Sequence, residues 1–330
     1  MHPRYINLSI YRIIAALCIL QFHIFYIMLN RDIPFEILLS KGVQGLMALS
    51  GFLYSQRVIK NVKGFYKNNF IKLIVPALIC LSFILVWNVV AMFIMGDYNF
   101  FGLLFSHRAY NDTLLFQPSN FYFIIVVFSA YLLTPVLQRK DKWTKLVLIL
   151  VPVVEIILSY FLNYPISVSA YFIGYYVGKK FFHQYVDENK RFSLPHFSVW
   201  FGILLTSLAV YILLVLFFPK GEGYFGIHTK DFLQGIVGFV FGVSTFFVII
   251  QIFRELNKYR HGKFLAFTDK YTYFIYLFNQ TFMIGSMNVA AYTEPIWAKF
   301  LIINSATFLF AALAYSIYEK VDENLIHPQK

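Results

Sequence analysis

Charged residues are scarce in this chain of 330 residues. Asp, Glu, Lys and Arg together make up 13% of it, against about 25% in a typical soluble globular domain. Hydrophobic residues make up 59%, above the share of about 45–50% that is typical of soluble domains. This balance excludes a disordered chain, and it leaves too little charge to cover a surface that faces water. The composition therefore predicts an integral membrane protein.

Cysteines and cofactor motifs are also scarce. The two cysteines, Cys18 and Cys80, both lie in apolar runs, so neither a disulfide framework nor a metal site is expected. There is no phosphate-binding loop, dinucleotide fingerprint or zinc-spaced Cys/His set, and we expect no permanently bound cofactor. The net charge of +12 would suggest nucleic acid in a soluble protein. In a membrane protein it indicates basic cytoplasmic loops instead, and we expect no nucleic-acid partner.

Long apolar runs recur along the chain. A helix needs about 20 apolar residues to cross the bilayer core. By that rule the sequence predicts ten spans, near residues 8–30, 37–57, 72–95, 118–138, 144–162, 166–181, 197–218, 232–253, 271–290 and 296–318. No linker, low-complexity tract or fixed-period repeat separates them. We therefore predict an all-α fold, a polytopic membrane helix bundle of about ten transmembrane helices, forming one membrane domain over residues 1–330.

The basic residues predict the orientation of these spans. With both termini in the cytoplasm, 21 of the 28 lysines and arginines fall in inner segments. Six fall in outer segments: Arg31, Lys41, Arg108, Lys220, Lys230 and Lys299. Cytoplasmic loops carry the excess of basic residues in membrane proteins, so the split predicts that both termini are cytoplasmic. The remaining basic residue, Arg12, lies inside the first span.

The first span carries two ionisable residues, Arg12 and His23. Eleven helical steps of about 100° bring the two side chains within about 20° of one face, and the rise separates them by about 16 Å. Ionisable residues inside a span are costly and usually face the bundle interior or a wet cavity. Each alone could be structural, Arg12 as a snorkelling anchor and His23 as a packing residue. Their shared face favours a functional role.

Five stretches of the chain together follow the pattern of one known protein family. The first span has the family spacing R-x10-H, and the other four stretches follow in the family's order. Residues 42–53 are similar to G-V-x-x-F-F-x-x-S-G-F-L, and residues 65–76 to F-Y-x-x-R-x-x-R-x-x-x-P. Residues 171–178 are similar to the family's helix with Y-F followed by G-x-x-x-G, and residues 272–279 to S-Y-x-x-Y-L-x-H. Together the five stretches resemble the acyltransferase-3 family of membrane O-acyltransferases. The resemblance covers most of the chain and agrees with ten helices.

The chain departs from the family pattern at several positions. Asn69 and Lys72 stand where the family usually has two arginines. One positive charge is therefore missing, and the other is carried by a lysine ammonium instead of a guanidinium that can bind in a bidentate manner. Asn279 stands where a late histidine is common, and Gln44 also deviates. These differences indicate a divergent member of the family.

The resemblance implies transfer of an acyl group, usually acetyl, from cytoplasmic acyl-CoA to a hydroxyl of a glycan. The acceptor would be a cell-surface or envelope polysaccharide or a lipid-linked sugar, and the protein would lie in the bacterial cytoplasmic membrane. Acyl-CoA is then a co-substrate. His23 fits the general base, and Arg12 fits a site for the donor's phosphates or carbonyl. Lys67 and Lys72, at the cytoplasmic mouth of the third span, could add phosphate contacts or be ordinary cytoplasmic lysines.

Further polar residues are weaker candidates for a cavity or substrate site. Ser50 stands beside Gly51, where small residues more often serve helix packing. Glu155 lies deep in the fifth span. It could be a partner for Arg12, a cavity residue or a structural carboxylate. Arg108 lies in an aromatic outer loop that could contact sugars or merely be solvated, and Tyr276 and Asn279 belong to the late motif. The rival class is a transporter or exporter of polysaccharide or lipid-linked sugar.

Overall fold

The computed structural model describes residues 5–29, 36–95, 121–139, 141–162, 165–187, 189–190, 192–217, 229–259, 262–279, 281–283 and 295–323. Within these ranges the chain forms helices and no strand. The α-helices are α1 (Ile6–Leu29), α2 (Glu36–Ser40), α3 (Gly42–Tyr54), α4 (Val62–Met95), α5 (Phe121–Arg139), α6 (Lys142–Leu162), α7 (Val168–Val186), α8 (Leu194–Phe217), α9 (Thr229–Ile252), α10 (Lys263–Phe278) and α11 (Ile296–Val321). A short 3-10 helix, Arg254–Lys258, follows α9.

Every predicted span overlaps a helix of the structure. Among the described residues, six helices are long and apolar enough to cross a membrane: Ile6–Phe25, Val62–Val86, Lys142–Phe161, Leu194–Phe217, Thr229–Ile252 and Ile296–Val321. Large apolar side chains such as Ile149, Phe161 and Phe217 are exposed along α6 and α8, which suits a surface in contact with lipid. The structure confirms a helical, multi-span membrane protein. The number of ten spans and the cytoplasmic termini stay predictions.

Several helices differ in extent from the predicted spans, as where α4 begins at Val62, ahead of the span predicted at 72–95. The span predicted at 37–57 is two helices, because α2 ends at Ser40 and α3 begins at Gly42, with a 3-10-type hydrogen bond from the Lys41 N–H to the Leu38 carbonyl (3.2 Å). The span predicted near 271–290 overlaps a helix that begins earlier, at Lys263. Its first two turns carry charged residues that lower the hydropathy, although these residues form helix readily.

The chain divides into two compact units. The first comprises residues 1–18, 33–65 and 129–269, and the second comprises residues 19–32, 66–128 and 270–330. Helix α1 therefore contributes its first half to one unit and its second half to the other. The single domain predicted over residues 1–330 stays a prediction.

The first unit is built around a close contact between α3 and α7. A Cβ atom placed on Gly51 would overlap the carbonyl oxygen of Tyr171, and one placed on Gly174 would overlap that of Ala48. At Gly178 the added atom would lie 2.8 Å from the carbonyl oxygen of Phe52. The two backbones approach this closely only because these positions lack side chains, as small residues allow in membrane helices. The packing role considered for Gly51 is confirmed.

The second unit packs through aromatic rings. Phe310 on α11 lies 5.0 Å from Phe282, 5.8 Å from Phe83 and 6.0 Å from Phe278, measured between ring centroids. The interplanar angles of 64° to 70° are the edge-to-face arrangement that aromatic pairs prefer. Large side chains thus fill the space between these helices, where the first unit uses glycines.

A buried asparagine fixes the first turn of α1. The Asn7 side chain is fully buried and donates to the carbonyl oxygens of Tyr185 (3.0 Å) and Ile250 (2.8 Å). Asn257 completes the site, since its Nδ2 donates to Asn7 Oδ1 and its Oδ1 accepts from the Asn7 backbone N–H, both at 3.0 Å. One amide side chain therefore ties α1 to the ends of α7 and α9.

Candidate active site

Arg12 lies on α1 beside a carboxylate that the sequence analysis did not consider. Its guanidinium Nη1 donates to Asp269 Oδ1 in an ion pair. The other oxygen, Asp269 Oδ2, accepts from the Ser9 hydroxyl at 3.0 Å. The Asp269 side chain is only 6% exposed, whereas that of Arg12 is 33% exposed. A buried carboxylate is costly unless it is paired, so Arg12 and Ser9 stabilise Asp269, which in turn fixes the Arg12 guanidinium.

Asp269 is not among the predicted site residues, because residues 263–270 fall in a predicted inner loop. The structure makes them the first turns of α10. A signal was present, since Asp269, Thr272 and Tyr276 follow the i, i+3, i+7 spacing of one helix face, and all three are buried. Extending this helical spacing from the late family motif toward the N-terminus would have placed Asp269 on the buried face.

Glu155 is not the partner of Arg12. Its Oε1 accepts from the backbone N–H groups of Ser167 (2.8 Å) and Val168 (2.7 Å). Its Oε2 accepts from the Ser169 N–H (2.8 Å) and the Ser169 hydroxyl (2.5 Å). These N–H groups open α7, where helices have donors without intrahelical partners and a positive dipole end. Glu155 on α6 thus caps α7, which gives this buried carboxylate a structural task. A role toward substrate stays a prediction.

His23 lies in the second half of α1 and is partly exposed. Its ring is edge-on to Phe22, with 4.9 Å between centroids. Helix α1 is continuous from Ile6 to Leu29, so the rise of about 16 Å between Arg12 and His23 follows from regular helix geometry. Two residues before His23, Gln21 Nε2 donates to Asn304 Oδ1 on α11 at 3.0 Å. Asn304 is a polar residue within a span that the sequence analysis also overlooked.

Lys67 and Lys72 are both exposed on α4, and Asn69 between them is buried. Five helical steps turn the side-chain direction by about 140°, so the two lysines leave α4 on different faces. One face of this helix therefore cannot present both ammonium groups to a single phosphate. The position where the family's first arginine would stand, Asn69, points into protein.

The remaining predicted site residues lie on different elements of the structure or outside the described residues. Ser50 is partly buried on α3. Tyr276 is buried against Phe123, with 4.5 Å between ring centroids, and Asn279 is fully buried just after α10 ends. Arg108 lies outside the described residues. The structure thus assigns contacts to Tyr276 and leaves the roles of these four residues as predictions.

The helices and the Arg12–Asp269 pair describe a multi-span membrane protein with a fixed guanidinium in its first helix. The family model of acyltransferase-3, described as an acyltransferase domain, matches residues 5–318. The chain belongs to this family, because the match covers nearly all of it, and it is accordingly a membrane acyltransferase. Comparison with curated proteins gave no match. Comparison with solved structures gave none either.

Proposed function

We propose that this acyltransferase moves an acyl group, most simply acetyl, from cytoplasmic acyl-CoA to a hydroxyl of an envelope polysaccharide or lipid-linked sugar. The observation that carries the proposal is the Arg12 guanidinium, which Asp269 and Ser9 fix on α1 eleven residues before His23. A guanidinium held by one carboxylate keeps further N–H donors for an anionic or carbonyl oxygen. The family spacing in the first span supports the pairing of Arg12 with His23 in one reaction.

In the proposed reaction His23 is the general base. A neutral imidazole nitrogen accepts the proton of the acceptor hydroxyl as its oxygen attacks the thioester carbonyl carbon. The carbon–sulfur bond then breaks, and the departing CoA thiolate takes the proton from the imidazolium. The products are an O-acylated glycan and CoA with a free thiol. A pantetheine arm extended along α1 would cover the rise of about 16 Å between Arg12 and His23.

Arg12 is proposed to bind the donor at its phosphates or thioester carbonyl. Lys67 and Lys72 on α4 would add charge at the cytoplasmic mouth as separate point contacts, since they leave different faces. Lysine is a compact point charge and does not reproduce the bidentate fork of arginine. The proposal places no permanently bound cofactor in the protein.

Acylation of the surface glycan by a His23→Ala variant tests the catalytic role. General-base assistance contributes about 10²–10⁴-fold, so acylation measured by mass spectrometry at matched membrane abundance should fall below detection. His23→Asn should fail equally, because an amide cannot accept and return the proton. Near-normal acylation by either variant would remove His23 from the mechanism. Glycan export that depends on the protein but leaves the glycan unacylated would favour the transporter alternative.

Asp269 acts in this scheme as a positioning residue for Arg12. Asp269→Asn should raise the KM for acyl-CoA by about 10-fold, the order expected for losing one charge-assisted bond, and lower kcat much less. Arg12→Lys should raise the same KM, and the double variant should add little to either change because both act on one contact. Restoration of KM by Asp269→Glu would support positioning. Additive effects, or a loss confined to kcat, would argue against it.

A further inference from the structure

Lys41 is a cation at the start of α3 that packs against glycine. It is partly buried, and its stem lies along α9. A Cβ atom placed on Gly238 would lie 2.9 Å from Lys41 Cδ and 3.2 Å from its Nζ. One turn further along α9, a Cβ placed on Gly242 would lie 3.2 Å from Lys41 Cβ. The two glycines therefore form a shallow track that accommodates the lysine side chain.

Within the part of the chain that the structure describes, this lysine has no acidic partner. The ion pairs of the described residues are Arg12–Asp269, Arg254–Glu255 and Lys270–Glu319, and none involves Lys41. An ammonium group inside a helix bundle is costly without a counter-charge. Arg12, in the same unit, has its carboxylate. Lys41 has no such carboxylate among the described residues, and its side chain is only partly buried.

Gln44, one turn after Lys41, contributes a second polar atom without a partner. Its side chain is 4% exposed, and its Oε1 has no hydrogen-bond donor among the described residues. The Gln44 Cβ would lie 3.1 Å from a Cβ on Gly242, the same glycine that Lys41 contacts. Leaving a buried acceptor unpaired costs about 1–3 kcal/mol. The two residues thus lie one helical turn apart and both pack against Gly242, and each carries a polar group that could bind part of a ligand.

We propose that Lys41 and Gln44 form a binding site for an acidic sugar. The Lys41 ammonium would bind a sugar carboxylate or phosphate, and Gln44 Oε1 would accept a hydrogen bond from a ring hydroxyl. This inference rests on the proposed function and orientation, in which Lys41 is one of six outer basic residues and the donor's phosphates enter from the cytoplasm. An oxyanion at the outer end then belongs to the acceptor, so the inference assigns the acceptor's chemical class.

Thermal unfolding of the detergent-solubilised full-length protein tests this site without any acyl donor. The probes are sodium glucuronate, glucose 1-phosphate, inorganic phosphate and glucose. Glucuronate or glucose 1-phosphate should raise the Tm with a saturable Kd, and inorganic phosphate and glucose should do so at least ten-fold more weakly. The stronger of the two acidic sugars identifies the source of the oxyanion as a carboxylate or as a phosphate.

Lys41→Met keeps the apolar stem and removes the charge. It should weaken the binding of the acidic sugar about ten-fold or more and leave that of glucose unchanged. Lys299→Met, at another outer lysine, is the matched control and should bind as the wild type does. Gln44→Leu should reduce the preference for the acidic sugar over inorganic phosphate. Its own Tm should not fall, because the unpaired acceptor is removed.

Two results would overturn the site. One is the absence of a saturable Tm increase with either acidic sugar in the wild type. The other is equal binding by Lys41→Met and the wild type. The tests of the site and of the reaction are separable. Loss of sugar binding in Lys41→Met with acylation intact in His23→Ala would retain the site and reject the reaction. The reverse pair of results would retain the reaction and reject the site.

Discussion

The two units of the molecule achieve their packing by opposite means. In the first unit, α3 and α7 meet backbone to backbone at Gly51 and Gly174. In the second, rings such as Phe282 and Phe310 occupy the space between helices. Lipid tails are as apolar as leucine, so helix association in a membrane depends on close packing and on hydrogen bonds. Glycine contacts allow no adjustment by the neighbours, whereas aromatic side chains can shift. The difference predicts unequal tolerance to substitution.

The largest effect is expected at the glycine contact. Gly174→Leu would drive a side chain into the Ala48 backbone, which cannot rotate away, and the cost should be at least the roughly 1–3 kcal/mol of ordinary overpacking. We expect loss of folded protein from the membrane, measured as the yield of monodisperse protein after extraction into detergent. Gly202→Ala on α8 is the control, because no atom lies within 4 Å of its added Cβ. Equal yields from both variants would contradict the close contact.

A smaller effect is expected at the cap of α7. Glu155→Gln removes the charge that accepts three backbone N–H groups and leaves one amide oxygen to do so. Hydrogen bonds to charged groups contribute about 1.5–3 kcal/mol, so the Tm should fall clearly. Glu319→Gln in the second unit is the control, since its ion pair with Lys270 is long (3.7 Å) and exposed, and such pairs contribute about 0–1 kcal/mol. A larger fall for Glu319→Gln would reverse the comparison.

The smallest effect is expected among the rings of the second unit. Phe310→Leu keeps most of the apolar volume and loses the ring contacts with Phe83 and Phe282. Such contacts contribute about 0.5–1.5 kcal/mol beyond the buried area, so the Tm should fall slightly and the yield should be unchanged. If this variant proved as damaging as Gly174→Leu, both units would be equally rigid.

Hydropathy predicted spans that overlap helices in both units. The first span was predicted at 8–30 and is observed at Ile6–Leu29. The prediction failed where a helix extends into polar sequence, as at Lys263, because a hydropathy window measures membrane depth and not helix formation. The close contact at Gly51 was predictable because small residues have a known packing role.

The contacts of the charged residues were much harder to predict. Arg12 and Asp269 are 257 residues apart, and nothing local to either residue identifies the other. The capping role of Glu155 was easier to predict. The backbone N–H groups that it accepts from lie only 12 to 14 residues later in the chain, at the start of the next helix. The environment of Lys41 depends on two glycines of α9 that lie about 200 residues later in the chain, and single-sequence patterns do not link residues so far apart.

The contacts of Asn7 have a consequence for the order of assembly. Its partners Tyr185, Ile250 and Asn257 are separated from it by 178, 243 and 250 residues. During synthesis the chain emerges from its N-terminal end, so α1 enters the membrane with this amide unsatisfied and acquires its acceptors only after α9 has followed. The same delay applies to Arg12 until Asp269 is made. Although α1 is made before the helices that it contacts, it is therefore among the last to acquire its side-chain hydrogen bonds.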